Sequence, residues 1–185
     1  GLGLSWSFGQ DVPADAVVLE VGPGHGEFLR ELATRHAGVI ALDISAELLD
    51  RAREFAAQEN LDNVEFVAGD TTEAKRRGLR VDAVACNMVL HHIPSPADTF
   101  RDAATLLKPG GAMLVTDLSR HEQDWVREHC GDLWQGFDDA ELDRWAVAAG
   151  LTPAKSFYLG LRNGFQVAFR SFTKGPVKDR DPVSV

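Results

Sequence analysis

Three glycines stand on alternate positions behind an acidic residue near the amino end of the chain. The segment reads Val18-Leu19-Glu20-Val21-Gly22-Pro23-Gly24-His25-Gly26. A dinucleotide-binding loop needs its third glycine three positions after the second, where this chain has Glu27. The spacing therefore favours a loop that approaches a ligand without a pyrophosphate, and the Glu20 carboxylate suits a positively charged amino acid group. The alternative is a turn that serves only close packing of a strand against a helix.

Two more acidic residues follow the second and third predicted strands. At Asp43 a carboxylate can accept two hydrogen bonds from ribose hydroxyls, and Ile44 would lie against one face of an adenine. Gly69-Asp70-Thr71 ends the third strand, where Asp70 can accept a hydrogen bond from an adenine amino group. Taken singly, either acid could instead cap the helix that follows it. Together with Glu20 they share the edge at which open α/β sheets bind ligands.

Histidines supply the candidates for a general base, namely His91, His92 and His121. The first two follow the fourth predicted strand, and because adjacent side chains usually point apart, we expect at most one of them to face a pocket. Structural packing is the alternative for both. His121 could form a metal site with His129 and Cys130, but three weak ligands without a fourth make a poor zinc site. We therefore predict no metal.

Aromatic residues mark the expected position of a second ligand. Trp125, Trp134 and Phe137 could stack on a flat substrate, or they could cover the sheet edge as ordinary core. We predict a pocket bounded by residues 87–92 and 117–137. The sequence leaves both interpretations of these aromatic residues open.

Short β-branched runs alternate with amphipathic segments along the chain, a pattern that predicts an α/β fold with helices on both faces of a mostly parallel sheet. The predicted strands are residues 17–21, 39–43, 64–68, 81–86, 112–116, 157–159 and 165–172. Helices are predicted over residues 27–36, after an N-cap at Ser45, over 97–107 and over 138–149. Lys108-Pro109-Gly110-Gly111 is expected to stop the third of these helices.

Size and composition predict one domain. The chain has 185 residues and is 44% hydrophobic, enough for one α/β core but not for two of ordinary size. We place the domain at residues 1–173 and expect a disordered tail over 174–185. Because the chain begins with Gly1 rather than Met, an amino-terminal portion, which could include a further domain, could have been removed.

The net charge of -9 repels phosphate backbones, so we expect no nucleic-acid partner for this domain. A basic cluster at Lys75, Arg76, Arg77 and Arg80 is interpreted as a solvated loop or helix end. No apolar run is long enough to span a membrane, and the amino terminus lacks the pattern of a secretory signal. These features and the two cysteines predict a cytoplasmic protein without a disulfide framework.

Residues 17–172 resemble a class I S-adenosylmethionine-dependent methyltransferase, of the type-11 and ubiquinone-biosynthesis-like group. Five segments carry the resemblance: residues 20–26 (first motif), Asp43 (ribose acid), Gly69-Asp70 (adenine motif), 82–90 (fourth-strand motif) and 107–111 (turn before the fifth strand). The resemblance implies a Rossmann-like three-layer sandwich whose seven-stranded sheet has the order 3-2-1-4-5-7-6, with strand 7 antiparallel.

It also implies S-adenosylmethionine as cofactor and a small-molecule methyl acceptor. The residues that would bind the cofactor are Glu20, Gly22, Gly24, Gly26, Asp43, Ile44, Gly69, Asp70, Thr71 and Asn87. A sensing domain for S-adenosylmethionine or its demethylated product is the alternative function, since intact cofactor motifs serve either role. An NAD-dependent oxidoreductase is opposed by the glycine spacing.

A narrower resemblance points to methyltransferase domains fused behind an ArsR-type winged helix. It rests on residues 87–93, 117–125, 131–134 and 161–166. Such an architecture would link the domain to a transcriptional regulator. The sequence does not identify the attacking atom of the acceptor, and it leaves the oligomeric state open.

Overall fold

The computed structural model describes residues 12–123 and 131–176, and within them seven strands form one sheet in the order β3-β2-β1-β4-β5-β7-β6. The strands are β1 Val17–Val21, β2 Gly38–Asp43, β3 Val64–Ala68, β4 Val81–Asn87, β5 Leu107–Leu118, β6 Thr152–Gly160 and β7 Gln166–Thr173. The predicted strand order is confirmed. Adjacent strands from β3 through β5 pair in parallel, and β7 runs antiparallel to both β5 and β6.

The parallel register brings the carboxyl ends of β1, β2, β3 and β4 to one edge of the sheet. Val21 at the end of β1 pairs with Leu42 on one side and Cys86 on the other, one residue before β2 and β4 end. Asp43 pairs with Ala68 at the end of β3. We call this border the carboxyl edge. The predicted site residues at the ends of β1 to β4 lie along it.

Five α-helices and one short turn cover the described sheet. The helices are α1 Glu27–Arg35, α2 Ala46–Gln58, α3 Thr71–Arg76, α4 Pro96–Leu106 and α5 Asp139–Ala148, and Leu90–His92 form a 3-10 turn. Alternation within β1 shows the layering, because Val18 packs with α1 and α2 whereas Leu19 packs in the cluster that holds α3, α4 and α5. The result is the predicted three-layer sandwich. None of these helices combines the length and apolarity that crossing a bilayer requires.

Three elements differ from the prediction by more than one or two residues at their ends. β5 begins at Leu107, which pairs with Val81 before a register shift, so the Lys108 to Gly111 segment is an irregular part of the strand. β6 begins at Thr152 and not at residue 157. α3 was not predicted, since its six residues are too few to show a helical period. Lys75, Arg76 and Arg77 of the basic cluster lie at the carboxyl end of α3, which agrees with the prediction of a helix end.

Lys174, the first residue of the predicted tail, is bonded to the end of α4 and to β5. The Lys174 ammonium donates to the carbonyls of Ala104 and Leu107, both at 2.7 Å, and its backbone NH bonds to Gly111 at 2.9 Å. The side chain therefore satisfies carbonyls at the end of α4, where a positive charge is also favourable. Residues 177–185 lie outside the described part of the chain.

The N-cap predicted at Ser45 is present, and its loss gives a measurable effect. Ser45 Oγ accepts a hydrogen bond from the Leu48 NH at 3.3 Å. Ser45→Ala should cost about 1 kcal/mol, which lowers the melting temperature by about 2–4 °C in a chain of this size. Ser95→Ala is the matched control, because Ser95 precedes α4 without a capping side-chain bond. Circular dichroism on heating measures both, and equal losses would contradict the capping role.

Candidate active site

The glycine-rich loop after β1 divides into two packing positions and one open position. Gly22, Gly24 and Gly26 all have positive φ angles, of 68°, 54° and 90°. An added Cβ would come within 2.7 Å of Val89 Cγ2 at the first position and within 2.5 Å of the Phe55 ring at the third. At Gly24 an added Cβ meets no atom of the described residues within 4 Å. Close packing thus explains two of the glycines, and the middle one borders open space.

The Glu20 carboxyl is buried, and one of its oxygens has no hydrogen-bond partner among the described residues. The residue is 1% exposed, and its Oε2 atom has no hydrogen-bond partner among the described residues. Burial raises the pKa of this carboxyl from 4.5 to about 8. An unpaired buried oxygen is costly, so a ligand that brings a cationic N–H donor would satisfy it.

Asp43 ends β2 at the carboxyl edge and Ile44 follows it, and the two side chains differ sharply in exposure. The Asp43 carboxylate is buried and accepts the Ser45 NH through Oδ1 at 2.9 Å, which fixes its orientation. Ser45 and not Asp43 caps α2, so the capping alternative for this acid does not hold. The Ile44 side chain is 79% exposed, a large apolar surface beside a fixed carboxylate. Such a pair can accept ribose hydroxyls and cover the face of a flat ring.

At the end of β3 the side chains are engaged within the protein. Asp70 Oδ1 accepts the Glu73 NH at 2.9 Å and so caps α3, the alternative foreseen for it. The Thr71 hydroxyl donates to Asp102 Oδ2 at 2.8 Å. An added Cβ on Gly69 would come within 2.7 Å of the Glu73 side chain. Roles for Gly69, Asp70 and Thr71 toward an adenine stay predictions.

Asn87 ends β4, opposite Thr116 of β5 in the register. The Thr116 hydroxyl is buried and has no hydrogen-bond partner in the described part of the chain. Directly after the strand, Met88 has a positive φ of 54°, an uncommon conformation for a residue other than glycine. The chain therefore turns sharply beside Asn87, which leaves its side chain at the carboxyl edge.

His91 is buried and held by a carboxylate from β5. Its Nδ1–H donates to Asp117 Oδ1 at 2.7 Å, and its backbone NH donates to Asp117 Oδ2 at 3.3 Å. Burial alone would lower the pKa of His91, but the hydrogen bond to Asp117 and the negative charges of Asp117 and Asp132 hold the pKa above its ordinary value. This histidine is fixed in place rather than left as a free general base.

A second buried carboxylate, Asp132, meets both adjacent histidines. Its Oδ1 lies 3.7 Å from His91 Nε2 and 3.5 Å from His92 Nδ1. The two rings are 4.0 Å apart at their centroids. The expectation that they point apart is therefore wrong, because the 3-10 turn brings consecutive side chains toward the same neighbour. Asp132 was not predicted as a site residue, and neither was Asp117.

His121 lies after β5 in a different setting. Its Nδ1 accepts the Gln123 NH at 3.3 Å, and its ring meets the Phe165 ring edge-on with centroids 4.8 Å apart. Nε2 is buried without a hydrogen-bond partner among the described residues. With Nδ1 accepting, the neutral ring carries its proton on Nε2 and presents a donor. His129 and Cys130 lie outside the described residues.

The aromatic residues pack as core, one of the two alternatives left open. Phe137 is 2% exposed, and the Trp134 ring lies 5.7 Å from it and 5.9 Å from the Trp145 ring. The Trp134 Nε1–H donates to the Ile93 carbonyl at 2.9 Å. These bonds fix the segment before α5 against the 3-10 turn. Trp125 lies outside the described residues.

Comparison with known proteins gives a family and a set of relatives. A profile described as a methyltransferase domain matches residues 14–149. The ubiquinone biosynthesis O-methyltransferase of Coxiella burnetii (strain Dugway 5J108-111) is 29% identical over 147 residues, which cover 72% of this chain and 62% of that protein. The chain thus spans less than two thirds of the length of this relative.

Two crystal structures share the fold at low identity. The [4+2]-cyclase SpnF superposes with a TM-score of 0.78 at 17% identity, covering 94% of this chain and 80% of that one. A SAM-dependent methyltransferase from Aquifex aeolicus gives 0.70 at 18% identity, with 90% and 86% covered. At these identities the likeness concerns the fold alone.

Proposed function

Because the chain belongs to the methyltransferase domain family, we propose that it transfers a methyl group from S-adenosylmethionine to a small-molecule acceptor. The observation that carries this proposal is the unpaired, buried oxygen of Glu20 at the same edge as the open backbone at Gly24. A ligand with an ammonium group fits the first feature, and a ligand lying against the loop fits the second. No pyrophosphate is needed by either.

The remaining contacts follow from the carboxyl edge. The Asp43 carboxylate is the acceptor for ribose hydroxyls, and the exposed Ile44 side chain covers one face of the adenine. Asn87, at the end of β4, borders the methyl side of the site. The rest of the proposed cofactor site is formed by Gly22, Gly26, Gly69, Asp70 and Thr71. The three glycines contribute backbone conformation and no side chain.

The chemistry that the cofactor supplies is an electrophilic methyl on a positively charged sulfur. What the chain must add is alignment of the acceptor and exclusion of water, and alignment alone can be worth several kcal/mol. The acceptor pocket is proposed between residues 87–92 and 117–137, beside Asn87. His121 offers a donor there for an acceptor oxygen, whereas His91 is fixed by Asp117.

An oxygen nucleophile is the acceptor class that we favour. This choice is supported by the Coxiella relative, an O-methyltransferase of ubiquinone biosynthesis. A hydroxyl on an aromatic ring keeps its proton at neutral pH, so a nearby proton acceptor matters for such a substrate. His92 is half-exposed and follows β4, so its ring is the proposed proton acceptor in the absence of a bound metal ion.

The activity is tested directly. Purified protein is incubated with S-adenosylmethionine and a panel of hydroxylated aromatic small molecules, and formation of S-adenosylhomocysteine is followed by mass spectrometry. Turnover with at least one acceptor supports the proposal. Tight cofactor binding without turnover on any acceptor would favour the sensing alternative, and absence of cofactor binding would overturn both. Because SpnF shares the fold, methyl transfer itself must be measured rather than substrate loss.

Asp43→Ala should weaken cofactor binding without unfolding the chain. Two hydrogen bonds from ribose to a carboxylate are worth roughly 2–3 kcal/mol together, which corresponds to about a thirtyfold to 150-fold loss of affinity. Calorimetric titration with S-adenosylhomocysteine measures it. Asp50→Ala on the exposed face of α2 is the control, since among the described residues Asp50 pairs with Arg53 on the same helix. An unchanged affinity in Asp43→Ala would remove Asp43 from the site.

A further inference from the structure

We propose that His91, His92 and Asp132 form a binding site for a divalent transition-metal ion of the zinc type. The three ligand atoms are His91 Nε2, His92 Nδ1 and Asp132 Oδ1, and all of them lie within 4.8 Å of one another. Ligands at about 2.0–2.1 Å from a tetrahedral ion are roughly 3.3 Å apart. The two distances to Asp132 Oδ1, 3.5 and 3.7 Å, need to shorten by only a few tenths of an ångström. The two histidine nitrogens lie up to 4.8 Å apart, so the half-exposed His92 ring must also rotate toward the ion.

The state of the Asp132 carboxylate is a second observation that points to a cation. The residue is 6% exposed, and Oδ1 accepts no hydrogen bond from any described residue. Its two histidine neighbours stand too far away for normal hydrogen bonds. A buried carboxylate oxygen in this condition carries an unmet desolvation cost. A metal ion placed among the three atoms removes that cost.

The surroundings already orient His91 as a ligand. Since the Asp117 carboxylate accepts from Nδ1–H, the neutral ring has its lone pair on Nε2, the atom that faces Asp132. Asp117 is in turn held by the Leu118 NH at 2.8 Å and by the backbone NH of His91. A carboxylate behind a metal-binding histidine fixes the tautomer and strengthens the ligand. The described residues therefore include both the ligands and their support.

Backbone contacts hold the two halves of the site together. The NH groups of Leu133 and Trp134 donate to the His91 carbonyl at 2.9 and 3.2 Å, and the Trp134 indole donates to Ile93. Asp132 is consequently fixed beside the 3-10 turn before any ion binds. The His92 side chain is 45% exposed, which gives solvent access to the site and leaves room for a non-protein ligand on the ion.

The competing arrangement places a proton, and no metal, between His91 and Asp132. The two cases are separated by titrating chelator-treated wild-type chain with ZnCl₂ at pH 7.5 in a calorimeter, and by recording the visible absorption of the Co²⁺ form. We expect one equivalent of Zn²⁺ to bind and Co²⁺ to show the intense bands of a low-coordinate nitrogen and oxygen site. No binding of Zn²⁺ by the wild-type chain would overturn the proposal in favour of the proton.

Variants assign the ion to these residues. Asp132→Asn should weaken Zn²⁺ binding at least about tenfold, and Asp117→Asn about tenfold to a hundredfold through the orientation of His91. Asp102→Asn is the matched control, because that buried carboxylate is satisfied by Thr71, Thr72 and Lys75. Should Asp132→Asn fail to fold, His92→Ala tests the same site from its exposed side. Unchanged Zn²⁺ affinity in His92→Ala would overturn the proposal, whatever the outcome of the methyl-transfer assay.

Discussion

Gly24→Val should abolish binding of S-adenosylmethionine, with a loss of affinity of at least about a hundredfold, or about 2.7 kcal/mol. The reason is that an added Cβ at Gly24 meets no atom of the described residues within 4 Å, so a valine side chain there projects into the open space where the cofactor is proposed to lie. A β-branched residue at φ +54° also strains the loop by about 1–2 kcal/mol. Calorimetric titration with S-adenosylhomocysteine gives the affinity, and thermal unfolding gives the strain.

A second glycine separates the two effects. Gly78 has φ +70°, and an added Cβ there also meets nothing within 4 Å, but the residue follows α3 away from the glycine-rich loop. Gly78→Val should therefore lower the melting temperature by a similar amount and leave the affinity unchanged. Near-normal binding by a folded Gly24→Val protein would show that the loop is only a turn.

Glu20→Gln should weaken cofactor binding while it stabilises the free protein at high pH. The neutral amide cannot form an ion pair with an ammonium group, and leaving the buried positive charge without its counter-charge costs about 2 kcal/mol or more, which is about a thirtyfold loss of affinity. For stability, the folded protein holds the Glu20 proton up to a pKa of about 8, above the value of 4.5 for the unfolded chain. Folding is therefore penalised increasingly as pH rises from about 4.5 to about 8.

Because Gln does not ionise, Glu20→Gln removes this penalty. Its stability advantage over the wild type should be small near pH 4.5, grow with pH and level off above about 8, reaching on the order of 2–5 kcal/mol. Denaturant unfolding at several pH values measures the curve. Glu65→Gln, at an exposed position of β3, should show no such pH-dependent difference. Parallel curves for Glu20→Gln and wild type would mean that Glu20 is hydrated in solution.

The sheet could be predicted largely because its central strands are short apolar runs with turn residues after them. β6 shows the limit of this signal. Nearly every one of its residues is exposed, so the strand has no buried face and no apolar alternation, and its first five residues were missed. Its position at the border of the sheet also accommodates Pro153, which normally argues against a strand.

The two parts of the site were predictable to different degrees. Glu20 is the next-to-last residue of β1 and Asp43 is the last residue of β2, so topology alone brings them to one edge. The Asp132 carboxylate lies in a segment without regular structure, and its contact with His91 depends on backbone bonds that no periodic pattern announces. Asp117 comes directly after the predicted strand at residues 112–116 and lies inside β5, and an acidic residue next to a buried apolar run was the available signal for it.

The strand order has a consequence for how the chain folds. β7 stands between β5 and β6, so neither of these strands can join the other until the last strand has been synthesised. Until then β5, whose interior residues are buried, presents an unpaired edge in the emerging chain. Long-range pairing of this kind slows folding and prolongs exposure to aggregation. Premature termination within residues 166–173 would therefore leave a sheet with an open border through its middle.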